Sequence, residues 1–196
     1  RNDLKVFDDH FEKPAGNPSI AVQIHMFYLT TLEETIDNLN RIPFPFDCYI
    51  STDTEDKKKI IEEVMAEVCR ANRVIVEVFE NRGRDVAPLL VQMQQRYNQY
   101  QYICHIHSKK TKTNDHGNEW RKYNFRHLFG CENNIRQIIG EFERNPNLGL
   151  IMPETYPVLE LQAEWGGNRE GVLTLLYRMG FEAEVPNDPV FPVGNM

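Results

Sequence analysis

The chain has 196 residues, 41% of them hydrophobic and 26% charged, which suits one globular domain and excludes a disordered chain. Its 22 basic residues against 29 acidic ones leave a formal net charge of −7, which excludes general nucleic-acid binding outside a local basic site. No apolar run approaches the roughly 20 residues that span a bilayer, and no basic start followed by an apolar stretch reads as a signal peptide.

The cysteines, Cys48, Cys69, Cys104 and Cys131, are widely spaced without a C-x-x-C pair, so buried reduced thiols in a cytosolic chain are the expectation. Both ends look cut: the chain opens at Arg1 and stops at Met196 without a polar tail. The expectation is an excised piece of a longer protein.

Residues 1–18, with Pro14, Gly16 and Pro18, read as a lead-in, and residues 19–196 as one domain. Ser19 to Leu29 is a dense apolar run of strand length, suited to a strand covered on both faces. Thr31-Leu32-Glu33-Glu34 has the pattern of a capping box, and Leu32, Ile36, Leu39 and Ile42 follow at helical spacing until Pro43. Phe46 to Ile50 predicts a second strand. Thr52 to Glu55 opens a second helix, whose stripe is Ile60, Ile61, Val64, Met65 and Val68 and whose solvated face carries Lys57, Lys58 and Lys59.

Val74 to Phe79 predicts a third strand, followed by Asn81-Arg82-Gly83-Arg84-Asp85 and a helix with Pro88 in its first turn and Leu89, Leu90 and Met93 on one face. Tyr102 to His107 predicts a fourth strand. Helices are expected over Trp120–Phe129, Asn133–Arg144 and Val172–Met179, the last closed by Gly180, with a strand at Leu148–Met152 and a loop over 153–168. Four alternations of strand and helix define an α/β domain with a mostly parallel central sheet and helices on both faces.

In such a sheet ligands bind beyond the carboxyl ends of the strands. His25 and Tyr28 lie on the first strand, Ser51, Thr52 and Asp53 follow the second, and Asn81, Gly83, Arg84 and Asp85 follow the third. His105, His107, Lys109 and Lys110 end the fourth. Asn81-x-Gly-Arg-Asp is either a plain turn with a helix cap or a phosphate-binding turn, in which Gly83 permits close approach and Arg84 grips the phosphate. Asp85 suits a helix cap, or a partner for Arg84 or a sugar hydroxyl. His105-Ile106-His107 admits a metal reading, but no third ligand lies at a telling spacing. The basic run Lys109, Lys110 and Lys112 is a solvated loop or a diphosphate clamp. Trp120-Arg121 is a core or interface pair, or a sugar-stacking one. Trp165-Gly166-Gly167-Asn168 is a loop able to cover a ligand.

The motifs Asn81 to Pro88, His105 to Lys110, Trp120-Arg121 and Phe191 to Met196, in this order, resemble those of the rhamnan synthesis protein F family. The resemblance implies a bacterial glycosyltransferase of the GT-A (nucleotide-diphospho-sugar transferase) type, acting in cell-wall or O-antigen polysaccharide synthesis. It implies inverting transfer of L-rhamnose, or a related sugar, from a dTDP-sugar donor to a lipid-linked glycan acceptor. It also implies a cytoplasmic site at the inner membrane face, with peripheral association through other parts of the full-length protein.

Asp53 would hold the nucleoside, and Asn81, Gly83, Arg84, Asp85, His105, His107, Lys109, Lys110, Trp120 and Arg121 would line the nucleotide-sugar site. The related transferases carry Asp-x-Asp at the fourth strand end, holding Mn²⁺ or Mg²⁺ on the diphosphate. This chain has His105 to Lys110 there instead, so lysine ammonium groups are expected to neutralise the leaving diphosphate, and no metal ligand is assigned. Candidate bases are Glu154, Glu164 and Asp188, or residues beyond Met196, where the family pattern continues. The other reading is a non-catalytic nucleotide-sugar or glycan-binding module, and a third is a histidine-metal hydrolase using His105, His107 and His25 or His116.

Overall fold

The computed structural model describes residues 16–108, 116–162, 164–182, 184–189 and 191–192. Lys109, Lys110 and Lys112 lie outside the described residues, as does most of the lead-in. Four strands, β1 (Ile20–His25), β2 (Phe46–Thr52), β3 (Arg73–Val78) and β4 (Tyr102–His107), form one sheet of order β3-β2-β1-β4. All three pairings are parallel. Helices α1 (Leu32–Leu39), α2 (Glu55–Val68) and α3 (Val86–Met93) connect the strands, and α4 (His116–Phe129), α5 (Glu132–Arg144) and α6 (Arg169–Arg178) follow. The expected α/β class with a parallel sheet is the observed one.

Alternate strand residues face opposite sides, so each face has its own composition. Val22, Ile24, Cys48, Ile50, Val76 and Ile106 meet residues of α1, α2, α4 and α5 in the main core, among them Leu39, Ile61, Phe125 and Ile139. Each such fully buried aliphatic or aromatic side chain contributes about 1.5–3 kcal/mol. Ala21 and Tyr49 on the opposite face pack with Met93 of α3, beside Ile75, Leu89 and Ile103. Beyond these residues that face turns polar, towards the carboxyl ends of the strands.

Several local expectations are corrected. Thr31 forms no capping box: it sits in a 3-10 turn (Leu29–Thr31) and its hydroxyl donates to the Tyr28 carbonyl, 3.0 Å away. Its φ of −109° and ψ of 4° lack the extended geometry of an N-cap. The stripe of α2 is narrower than expected, since Ile60 and Val68 are exposed while Ile61 and Met65 are buried. In α3 Leu90 is exposed. Lys57 is half-buried rather than simply solvated: its ammonium bonds Asp53 Oδ1 at 2.5 Å and the Phe27 carbonyl at 2.9 Å.

Leu148–Met152 forms no strand, because β4 pairs with β1 alone among the described strands. Leu148 to Ile151 instead line an apolar cavity of about 350 Å³ against the amino half of β4 and α5. The four cysteines are free thiols, Cys48 buried and Cys131 exposed, the latter against expectation. Burial raises the Cys48 thiol and pushes Cys104 up to about 12, so both stay protonated.

Gly180 ends α6 as expected: with φ at +78° it lets Phe181 N–H reach the Leu176 carbonyl at 2.9 Å and its own N–H reach Tyr177 at 3.0 Å. The ends of β1 and β4 are joined by buried Ser108. Its hydroxyl accepts from the N–H groups of Phe27 and Tyr28 at 2.7 and 2.9 Å and donates to the His25 carbonyl at 3.2 Å. Ser108→Ala leaves two N–H groups without that acceptor, and chemical denaturation should show a loss of about 1–3 kcal/mol.

Candidate functional site

The strand order reverses between β1 and β4, and crevices for ligands form at such reversals beyond the carboxyl ends. The register sets His25 opposite both Ser51 and His107, and Gln23 opposite both Tyr49 and His105. Ser51 is in turn opposite Glu77. One row across the sheet therefore reads His107, His25, Ser51, Glu77, and all four side chains face α3. Buried polar groups require partners, and the described geometry supplies them.

Gln23 Nε2 donates to Gln92 Oε1 at 2.9 Å and to Ser51 Oγ at 3.2 Å, while its Oε1 lies 2.6 Å from His105 Nδ1. Gln92 Nε2 donates to Glu77 Oε2 at 2.8 Å and to the Ile50 carbonyl at 3.2 Å. Glu77 also accepts from Arg96 at 3.2 Å. His25 Nδ1 lies 3.0 Å from Ser51 Oγ.

Asp85 joins two of the histidines, His105 and His107. It stands at the N-cap position of α3 without capping it through its side chain. Its carboxylate instead lies 3.5 Å from His105 Nε2 and 3.7 Å from His107 Nδ1. The His105 ring beside it holds the Asp85 carboxyl well below the usual carboxylate range, against a burial effect that raises it. Burial, then the neighbouring His107, lowers the affinity of His25 for a proton, so that ring is neutral at neutral pH.

The turn that carries Asp85 is strained. Gly83 has φ of +76° and Arg84 has φ of +55°, a region that costs an ordinary side chain about 1–2 kcal/mol. A Cβ at position 83 would also overlap Ala87 Cβ, so glycine is required twice over. Arg84 is exposed, as are Asn81 and Gly83. Strain of this kind gathers at functional sites.

The structure thus brings Asp85, His105 and His107 together, with His25, Gln23 and Gln92 added to them. Asp53 lies at the adjacent strand end, bound to Lys57, while Thr54 caps α2 by accepting from Lys57 N–H at 3.3 Å. Arg121 is buried and bonded to Glu34 Oε2 at 2.8 Å and Asn118 Oδ1 at 3.0 Å, tying α4 to α1. Trp120 is half-buried on the same helix. Glu154 is exposed and accepts from the Tyr123 hydroxyl at 3.4 Å. Asp188 and Glu164 are exposed, away from the histidines in sequence and without a described link to them. Gln23, Gln92 and Glu77 escaped the sequence reading. Their signal was the alternation Gln23-x-His25, Ser51, Glu77 and His105-x-His107 on one strand face.

Among the described residues no group of three His, Cys, Asp or Glu side chains is placed to hold a metal ion. His105 Nδ1 is moreover engaged by Gln23. The histidine cluster acts here as a set of hydrogen-bonding groups around one carboxylate.

An all-parallel α/β domain with a cluster of polar side chains at its strand reversal is the class these observations define. The family model for rhamnan synthesis protein F matches residues 3–196, and the chain belongs to that family. The name of that family refers to rhamnan synthesis, a form of polysaccharide synthesis. Two proteins called "Uncharacterized protein WxcX", from Xanthomonas campestris pv. campestris strain B100 and a second strain, are each 33% identical to it over 183 residues. The match covers 92% of this chain and 25% of theirs, so the chain spans about a quarter of the length of these relatives. No solved structure matches it. Among the described residues no helix is long and apolar enough to cross a membrane.

Gly83→Ala should lower stability by at least about 1–2 kcal/mol from its backbone angle, read as a fall in the denaturant midpoint. Acid should destabilise the domain in two windows. His25 binds its proton less readily in the fold than in the unfolded chain, so stability falls as pH drops below about 6.5. The Asp85 carboxyl, lowered by His105, loses its contribution as pH falls below about 4. Denaturation midpoints across pH should show both, and His25→Asn should shrink the first window alone.

Proposed function

We propose that this domain binds a nucleoside-diphosphate sugar at the carboxyl edge of β1, β2 and β4 and transfers the sugar to a growing glycan. The observation that carries the reading is the polar, histidine-lined strand reversal in a chain tied to polysaccharide synthesis. The donor is a dTDP-sugar, L-rhamnose or a relative of it, and the acceptor is lipid-linked, with inversion at the anomeric carbon. Asp53, pre-set by Lys57, takes the nucleoside. Arg84 on its strained turn, with Lys109 and Lys110, neutralises the diphosphate as its bond to the sugar breaks. Asp85, His105 and His107 form the wall that meets hydroxyl groups, since a carboxylate repels phosphate. The work takes place at the cytoplasmic membrane face. No step is assigned to a metal ion.

A second reading, a non-catalytic sugar-nucleotide or glycan-binding module, is favoured by one observation. Of the candidate bases, Glu154 lies with Tyr123 rather than beside the histidines, and Asp85 is the carboxylate that does. Turnover of dTDP-rhamnose by the purified domain separates the two readings.

Arg84→Gly relieves the positive φ while removing the guanidinium. It should leave stability unchanged or slightly higher, yet weaken dTDP binding by about 1.5–3 kcal/mol. Thymidine, lacking phosphate, should bind the variant as well as wild type. Calorimetry with both ligands checks this, and equal losses for the two would remove Arg84 from the diphosphate site.

A further inference from the structure

The hydrogen bonds beneath α3 form a chain whose direction can be read from its far end. The Glu77 carboxylate and the Ile50 carbonyl only accept, so Gln92 must turn its Nε2 towards both, at 2.8 and 3.2 Å. Its Oε1 is left for Gln23, which must answer with Nε2 at 2.9 Å. Gln23 Oε1 is then the atom 2.6 Å from His105 Nδ1. An amide oxygen has no hydrogen to give, so His105 carries one on Nδ1.

The consequence falls on the other ring nitrogen. His105 Nε2 is buried and has no hydrogen-bond partner among the described residues. The nearest is Asp85 Oδ2 at 3.5 Å. In the neutral ring Nε2 is a lone pair facing a carboxylate, two acceptors with nothing to share. A second proton on the ring turns that contact into a charge-assisted bond.

We infer that Gln92 and Gln23 are positioning residues of this site. They fix the hydrogen of His105 on Nδ1, and so make the bond from Nε2 to Asp85 conditional on a second proton. That bond holds the turn Asn81–Asp85, which carries Arg84, against the end of β4. That the turn so held belongs to a ligand site rests on the proposed sugar-nucleotide reading.

Among the described residues, the charged and titratable groups around His105 are Asp85 from the α3 turn, His25 from β1 and His107 from its own strand. The His107 ring stacks on His105 at 6.4 Å, and its Nδ1 lies 3.7 Å from the second Asp85 oxygen. Asp53 acts on His25, and Glu77 with Arg96 closes the far end of the chain. The rings must therefore be followed one by one.

The test is nitrogen-15 NMR of the histidine rings in the ligand-free chain, between about pH 5.5 and 8.5, where histidines titrate. At the alkaline end His105 should show the neutral form protonated on Nδ1, and the amides of Gly83 and Arg84 should shift in step with its own titration. Asp85→Asn is the discriminating variant. The new side-chain amide donates to the bare Nε2 without any proton uptake, so the pH-dependent shift of Gly83 and Arg84 should vanish.

Gln92→Met keeps the length of the side chain and removes the amide, which frees Gln23 to turn over. His105 should then appear as a mixture of both neutral forms, with the fold retained by circular dichroism. If that variant fails to fold, Asp85→Asn decides by itself. A wild-type His105 protonated on Nε2 at the alkaline end overturns the inference. So does full pH dependence of the Gly83 and Arg84 amides in Asp85→Asn. The ring states are read without ligand, so failure of wild type to bind dTDP would sink the sugar-nucleotide reading alone.

Discussion

Strand β1 is hydrogen-bonded on both sides and all six of its residues are buried. A strand with no solvent face has to satisfy every polar group it carries from within the fold, because an unpaired buried donor or acceptor costs about 1–3 kcal/mol. Gln23 and His25 place that demand at the centre of the sheet. Their neighbours meet it: Ser51 from β2, His105 from β4 and Gln92 from α3. The register of the whole sheet and the seat of α3 follow from this, since a slip of one residue would send Gln23 and His25 to the apolar face.

The two faces divide the labour. The face under α1, α2, α4 and α5 is apolar along its strands as far as Thr52 at the end of β2, and holds the main core. The face under α3 is apolar at the amino ends of its strands, around Ala21, Tyr49 and Met93, and polar at the carboxyl ends. Helix α3 therefore lies over a gradient. It is anchored by Met93 at one end and reaches the histidines through Asp85 at the other. The strained Gly83–Arg84 turn is the cost of bringing Asp85 back over β4 immediately after β3 has ended.

The apolar cavity beside α5 shows by contrast what makes the polar edge a site. It is roomy, yet it is lined by aliphatic and aromatic side chains, by the unionised Cys104 and Tyr102, by the neutral amide of Gln101 and by backbone. Nothing there offers a charge or a convergent set of donors. At the strand reversal, the Asp85 carboxylate lies 3.5 Å from His105 and 3.7 Å from His107, and His25 stands opposite His107 on the next strand.

The alternation of apolar runs and amphipathic stretches was enough to determine four strands, their connecting helices and the parallel α/β class, because period and strand length depend only on neighbours in the chain. It also located His105, His107 and Asp85 at strand ends. Where a residue's role depended on what crosses it in space, sequence was not sufficient. Thr31 matched a capping box until burial turned its hydroxyl to Tyr28, and Lys57 matched a solvated face until the ends of β1 and β2 offered it two oxygens. Leu148–Met152 had the composition of a strand, but pairing requires an edge that takes it.

Gln23, Gln92 and Glu77 lie 15 to 69 positions apart in the chain, and only the parallel register with α3 above it brings their polar atoms within bonding distance. The direction of each hydrogen bond, and with it the ring nitrogen that carries the hydrogen, belongs to that tertiary arrangement. A side chain's sequence states which atoms can donate and accept; the fold alone decides which of them face each other.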